Sequence, residues 1–310
     1  MKDLFQSEEY YSFLEKTGFL EPFRYTVSRS GEEAGVFQGY IQKDGGRLKQ
    51  SLSRRAIVNG GPYWAKDLSP EEKLELLQKA VRGIKNRAIY LETRNFRDYS
   101  EDSDVFEKAG FVYEPHYDFI VDTSSAEMVD AKMGKSRKRD VKTSLKNGAA
   151  LVEQPTVEDV KAFYAVLRDL YETRVKTPLF PLGFFELLFE TPFSKFILVR
   201  YNGEIVGGTV CVFDDEAVYE WFACGRDGVY KNIYPSTVAT YHGILFAAEN
   251  GFKRFDMMGA GAPGDGGYGV RDFKAKFGGE LVEYGRYKFI SKPLLYRIGK
   301  WGVSLIKKFK

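Results

Sequence analysis

Histidine and cysteine are scarce in this 310-residue chain, with two of each. His116 and His242 have no cysteine or second histidine at ligand spacing, so the usual zinc motifs are excluded and no metal is expected. Cys211 and Cys224 stand inside apolar strand-like runs, where a thiol packs as a small hydrophobe. No run of eighteen apolar residues occurs, and the N-terminal MKDLFQSEEYY lacks the apolar core of a secretion signal, so the expected location is cytoplasmic. Gly-Lys-Ser/Thr is missing, which excludes a P-loop. Net charge is small as well: 46 basic against 43 acidic residues leave +3, which by itself does not indicate a nucleic-acid partner.

What is present fits a globular chain of two domains. Hydrophobic residues make up 44% and charged residues 29%, while the 20 Tyr and 25 Phe suit a cleft for sugars, bases or peptides. A helix over 7–16 is expected, then strands at 23–28, 35–41 and 48–58. Ser69-Pro70-Glu71-Glu72 opens a helix with a capping box. A strand at 88–92, a short helix at 104–108 and one strand over 112–121 follow. A second unit begins with Thr156 as N-cap and an apolar stripe from Val160 to Tyr171. Strands at 195–201 and 204–213 turn at Asn202-Gly203, and a third spans 217–224. Along that third strand, alternation sets Tyr219, Trp221 and Ala223 on one face and Val218, Glu220 and Phe222 on the other. Between the halves, residues 132–146 hold seven cations against one anion, Asp140. They are a solvated helix face or a phosphate site formed by Arg137, Lys138, Arg139 and Lys142.

The stretch 251–290 organises the rest. A strand at 252–257 leads into a loop with glycine at six of the eleven positions 259–269, a short helix at 270–277 stopped by Gly278-Gly279, and a strand at 280–290. Gly259-Ala260-Gly261-Ala262-Pro263-Gly264 fits G-x-G-x-x-G in form. Pro263 and Gly266-Gly267 interrupt the helix that a dinucleotide site requires, and only 46 residues follow Gly264, too few for a nucleotide-binding half. The order long helix, short strand, short helix, strand also occurs earlier: Gly110 and Tyr117-Asp118-Phe119 correspond to Gly278 and Tyr287-Lys288-Phe289 at offsets of 168 and 170 residues.

FDMMG, the glycine loop, FKAKFGG and a Tyr-Lys-Phe strand together resemble the closing segment of the Fem-type peptidoglycan aminoacyltransferases, which lie within the acetyltransferase-fold (GNAT) superfamily. The Gly60-Gly61-Pro62 turn and the basic connector resemble that family too. The resemblance implies an α/β fold with mixed sheets, built as two tandem acetyltransferase-like domains. These are expected at 1–130 and 151–291, joined by the connector 131–150 and followed by a tail at 292–310. It implies transfer of an amino acid from aminoacyl-tRNA to an amine of a UDP- or lipid-linked muropeptide, with aminoacyl-tRNA as co-substrate and no other cofactor. It carries the active-site Phe-Lys pair onto Phe273 and Lys274, and substrate contacts onto Arg174 and Tyr219, with Trp221 beside them. Glu220 is the candidate base, as a carboxylate in this strand serves many acetyl-CoA enzymes, or else an edge residue. Lys274 is the candidate oxyanion partner, or an exposed helix lysine with Lys276 as a decoy.

One departure bears on the donor. Acetyl-CoA enzymes carry a glycine-rich pyrophosphate loop before the long helix, whereas residues 230–236, YKNIYPS, contain no glycine. An acyl-CoA-dependent N-acyltransferase acting on an amino sugar is the second expectation, and a basic adaptor for nucleic acid or membrane the third. In the tail, Leu294, Ile298, Trp301, Leu305 and Phe309 form one helical stripe with lysines off it. The stripe either contacts anionic membrane at its inner face or packs on the first domain.

Overall fold

The computed structural model describes residues 3–43, 53–175, 177–265 and 269–308. In chain order, helix α1 (Glu8–Lys16) precedes strands β1 (Glu21–Arg29), β2 (Glu32–Gln42), β3 (Arg55–Gly60) and β4 (Tyr63–Trp64). Of the strand expected at 48–58, residues 48–52 lie outside the described residues. Helix α2 (Pro70–Ile84) starts with the expected capping box: Ser69 Oγ accepts from Glu72 N, and Glu72 Oε2 accepts from Ser69 N at 2.9 Å. Then come β5 (Tyr90–Asn95), α3 (Ser103–Lys108), β6 (Val112–Glu114) and β7 (Tyr117–Asp122). The basic connector is two helices, α4 (Ala126–Lys132) and α5 (Lys135–Lys146), which break at Met133-Gly134.

The second half follows as β8 (Ala150–Leu151), α6 (Val157–Leu170) with a π turn at Tyr171–Val175, and α7 (Leu182–Phe189). Strands β9 (Ser194–Tyr201), β10 (Glu204–Phe213) and β11 (Ala217–Gly225) lead to α8 (Pro235–Glu249) and β12 (Arg254–Asp256). The chain closes with α9 (Gly269–Ala275), β13 (Glu280–Glu283), β14 (Arg286–Ile290) and α10 (Pro293–Lys308).

Two compact units result, Tyr117–Val282 and the discontinuous Asp3–His116 with Glu283–Lys310. In the discontinuous unit the sheet runs β1-β2-β3-β5-β14-β6, with β4 on β2; in the other it runs β13-β7-β12-β11-β10-β9-β8. Both sheets are mixed, β3–β5 and β11–β12 being parallel. A late strand of each half thus completes the sheet of the other half. This corrects the expectation of single strands at 112–121 and 280–290. Pro115 has no N–H to continue a ladder after β6, and Gly285 turns at φ 63 between β13 and β14. The division also differs from the expected boundaries at 130 and 151, since β7 and both basic helices belong to the unit of the second half.

The core of the discontinuous unit includes Phe37, Val58, Leu76, Leu91, Phe106 and Tyr287. Tyr287 of β14 stacks on Phe106, with centroids 3.9 Å apart and planes 6° from parallel. Helix α10 meets this unit through Tyr296, edge-on to Tyr90 at 5.5 Å. Its apolar stripe points elsewhere: Leu294 is 74%, Ile298 59% and Trp301 68% exposed. Packing of these three on the first domain is therefore not observed; the side chains of Leu305 and Phe309 lie outside the described residues.

Residues 1–130 alone lack β14, so this fragment is expected to remain unfolded. Joining residues 283–308 to 3–116 through a flexible linker is expected to restore cooperative melting by circular dichroism. A cooperative melt of the 1–130 fragment would contradict the strand exchange.

Candidate active site

Strands β11 and β12 pair in parallel at only three positions, ending with Tyr219 opposite Asp256. There β12 stops, while β11 continues to Gly225, so the strands part at Glu220 and Met257. A bulge lies at the same place. Val210 pairs with Phe222 and the next residue, Cys211, with Glu220, leaving Trp221 as the extra residue. Glu220 and Phe222 therefore face opposite sides, correcting the alternation that put them together. Glu220 reaches Thr240 of α8, whereas Phe222 packs on Phe184 and Phe185 of α7.

Lys274 enters this opening from α9. It is buried at 9% exposure, which removes the reading of an exposed helix lysine; Lys276 is the exposed one. Its Nζ donates to the carbonyl oxygens of Met257 and of Gly259, the latter at 2.8 Å. Two of three ammonium donors are thus used by the loop backbone, and the third has no hydrogen-bond partner among the described residues. Arg271, one turn earlier, donates to the carbonyls of Ala260 at 2.9 Å and Ala262 at 2.6 Å. Helix α9 can sit this close because Gly278 behind it takes φ 85; a Cβ there would lie 2.4 Å from the Lys132 carbonyl oxygen.

Two buried carboxyls, Glu220 and Asp118, feel the charge of the ammonium, and a third, Asp256, neighbours Asp118. Glu220 Oε1 accepts from Thr240 Oγ1 at 2.7 Å and Thr209 Oγ1 at 3.2 Å. Burial raises its pKa, opposed first by the charge of Lys274. At 5% exposure Glu220 is not an edge residue. Asp118 of β7 accepts from the amides of Phe119 at 2.7 Å and Gly259 at 2.8 Å, and burial raises its pKa against the pull of Lys274. Asp256 Oδ1 accepts from Met258 N at 2.8 Å, while its Oδ2 meets no donor. Burial and then the neighbouring Asp118 push the Asp256 pKa far up, which favours a proton shared by this pair of acids. The amides of Met258 and Gly259 are thereby taken by the protein's own carboxylates.

Arg137 of α5 stacks on Phe273 at 4.5 Å from its centroid and donates to Thr237 Oγ1 at 3.3 Å, in the first turn of α8. Burial lowers its pKa, partly offset by Asp140 and Asp227. It is thus separated from Arg139 and Lys142, which are exposed, and from Lys138, which pairs with Asp130 at 3.1 Å. The four cations do not form one face. At the start of α8, Tyr234 N of the N-cap donates to Ser144 Oγ at 3.0 Å, Pro235 has no N–H, and Asp227 accepts from the hydroxyl and amide of Ser236.

Among the sequence-derived residues, the structure brings Lys274, Phe273, Glu220 and Arg137 together. Tyr219 is buried with its hydroxyl on Asp214 Oδ2 at 3.1 Å, Trp221 sits in the bulge against Phe184, and Arg174 lies exposed on the π turn. Sequence reasoning missed Asp118 and Asp256. Each is an acid inside an apolar strand, in Tyr-Asp-Phe-Ile and Phe-Asp-Met-Met, and that was the available signal.

Residues 135–275 match the family described as an acetyltransferase (GNAT) domain. The structure named FemX is similar over 96% of this chain and 94% of that one, with a TM-score of 0.71 at 16% identity. This is a tandem GNAT-fold chain. The C-terminal domain of a protein described as a lysylphosphatidylglycerol synthetase from Agrobacterium fabrum is similar over 98% of this chain and 92% of its own, with a TM-score of 0.64 at 13% identity. L-PGS from Bacillus licheniformis gives 0.56 at 17%, over 91% and 87%. Identities this low establish the GNAT fold alone. The sequence matches none of the curated proteins searched.

The Asp256 pKa lies above its unfolded value, so the stability from its protonated form is complete below about pH 4 and is lost as pH rises through the folded pKa. Asp256→Asn supplies an amide that can donate to Asp118 and an oxygen that can accept from Met258. It is expected to melt higher than the wild type at alkaline pH, the gap closing towards acid. A melting deficit that persists at alkaline pH would contradict the shared proton.

Proposed function

We propose that this GNAT-fold chain is an aminoacyltransferase of the Fem type. In this reading it moves an amino acid from the ester of aminoacyl-tRNA to a primary amine of a UDP- or lipid-linked muropeptide. The observation that carries the reading is the buried Lys274 ammonium at the parting of β11 and β12, with one donor left over among the described residues. The amine nitrogen attacks the ester carbonyl and a C–N bond forms. The ester C–O bond breaks, and the proton shed by the amine ends on the departing ribose oxygen. Lys274 stabilises the oxyanion between these events. Glu220, whose pKa is raised by burial, is the stronger proton acceptor for it and the candidate base. In this reading Phe273, Trp221 and, on its exposed turn, Arg174 contact substrate, and the exposed Arg139 and Lys142 with Lys138 meet tRNA phosphate.

Asp227 at the N-terminus of α8 favours aminoacyl-tRNA over acyl-CoA, because a pyrophosphate there would have to displace it. The match of 135–275 to an acetyltransferase domain favours a second reading, acyl-CoA-dependent N-acylation. The two differ in whether coenzyme A protects the fold. The first expects no shift in melting temperature.

Lys274→Met is expected to lower transfer by about 100-fold or more, and also to lower the melting temperature because the residue is buried. Lys276→Met should do neither. Full turnover in Lys274→Met, measured where it remains folded, would remove Lys274 from the chemistry.

A peripheral contact with membrane belongs to the same reading. Among the described residues no helix is long and apolar enough to cross a membrane. The exposed stripe Leu294, Ile298 and Trp301, on a segment that carries Lys292, Arg297, Lys300, Lys307 and Lys308, suits an anionic lipid surface. Co-sedimentation with vesicles containing phosphatidylglycerol should fall strongly in Leu294→Ser/Ile298→Ser/Trp301→Ser. Equal sedimentation of that variant and wild type would count against the lipid contact.

A further inference from the structure

A second charged cluster lies in the discontinuous unit, on the sheet face that presents alternate residues of β3, β5, β14 and β6. One row crosses the strands as Asn59, Arg94, Arg286 and Glu114, and the next as Ile57, Glu92, Lys288 and Val112. Arg94 and Arg286 are therefore directly opposed on neighbouring strands, a like-charge pair that is destabilising unless an anion lies between them.

The carboxylates present do not balance them. Glu92, buried at 4% exposure, places Oε1 3.1 Å from Arg94 Nε and 3.5 Å from Arg286 Nη1, so the two guanidinium groups share one oxygen. Its Oε2 goes to Lys288 Nζ at 3.2 Å, and Lys288 also takes Glu114. Among the described residues three cations thus meet two carboxylates, and both carboxylates are engaged by Lys288. Burial works against the charge of Glu92, yet Arg94, Arg286 and Lys288 hold its pKa down to about 2. Burial lowers the pKa of Arg286, with Arg94 acting in the same direction against the pull of Glu92. The other guanidinium contact of Arg286 is to His116 Nε2 at 2.9 Å, a neutral acceptor in that role.

Geometry leaves these arginines accessible. Side-chain exposure is 39% for Arg94 and 28% for Arg286, against 6% for the Glu92 beneath them. A buried carboxylate orients two guanidinium forks from below, and their outer N–H groups face solvent. A planar carboxylate is satisfied by one fork. A tetrahedral oxyanion has oxygens in more than one plane and can accept from both.

We propose that Arg94 and Arg286, oriented by Glu92, form a binding site for a phosphate group. The site belongs to the discontinuous unit and is independent of the transfer chemistry at Lys274.

The test is titration of the full chain with inorganic phosphate at constant ionic strength, followed by calorimetry, with acetate as the comparison anion. Wild type is expected to bind phosphate more tightly than acetate. Arg94→Gln and Arg286→Gln should each weaken phosphate binding about 10-fold or more. Lys161→Gln, at an exposed position of α6, should leave it unchanged. Should Arg286→Gln not fold, Arg94→Lys keeps the charge and removes the fork, and it is expected to weaken binding as well. The proposal is overturned by absence of phosphate binding at about 50 mM, by acetate binding equally well, or by phosphate affinity unchanged in the Arg94 variants.

Discussion

An ammonium ion taken out of water costs several kcal/mol unless carbonyls and carboxylates replace its hydration. Lys274 meets that requirement from several elements at once. The glycine loop gives two backbone carbonyls, and Glu220 on β11 and Asp118 on β7 give negative charge. The loop geometry follows from the same requirement. Its carbonyls turn towards Lys274 and Arg271 while its amides turn towards Asp118 and Asp256. Met258 takes φ 54 and Gly259 φ 97 to make that turn. A cation built in this way is held in place by the protein's own groups, as the oxyanion role proposed for Lys274 requires.

The exchange of strands bears on the same centre. Asp118 stands on β7, which the first half of the sequence supplies to the sheet of the second. The active-site unit is therefore not encoded by the second half alone, and the acid that pairs with Asp256 comes from a segment more than a hundred residues away. In the discontinuous unit β14 plays the corresponding part. It brings Tyr287 to the core on one face and Arg286 and Lys288 to the charged row on the other.

Much of the architecture was legible because local signals were strong. The capping box at Ser69, the N-cap at Thr156, the Asn202-Gly203 turn and the helix-ending glycines announce their elements through hydrogen-bond chemistry that needs no tertiary context. The strand exchange was not legible: Val112 to Val121 reads as one run, and only Pro115 marks where it changes sheets. The Trp221 bulge was hidden because alternation assumes one partner residue for each strand residue, which the shift between Val210 and Cys211 violates. Lys274 and Phe273 were legible by family resemblance. Asp118 and Asp256 were not, because a buried acid gains its meaning from the partner that shares its proton, and that partner is distant in sequence. Arg137 was grouped with Lys138, Arg139 and Lys142 by proximity in the chain, yet a helix turns neighbours onto different faces.

The central claim is that the cleft beside Lys274 accepts an acyl group carried as an ester on tRNA. The most direct measurement is single-turnover transfer with tRNA charged with a radiolabelled amino acid, offered together with an amine-bearing muropeptide, alongside a parallel reaction with labelled acetyl-CoA. The account predicts that label leaves the tRNA and appears in amide linkage on the muropeptide, while the acetyl-CoA reaction stays at background. Label passing to the acceptor from acetyl-CoA, with none from the charged tRNA, would contradict it.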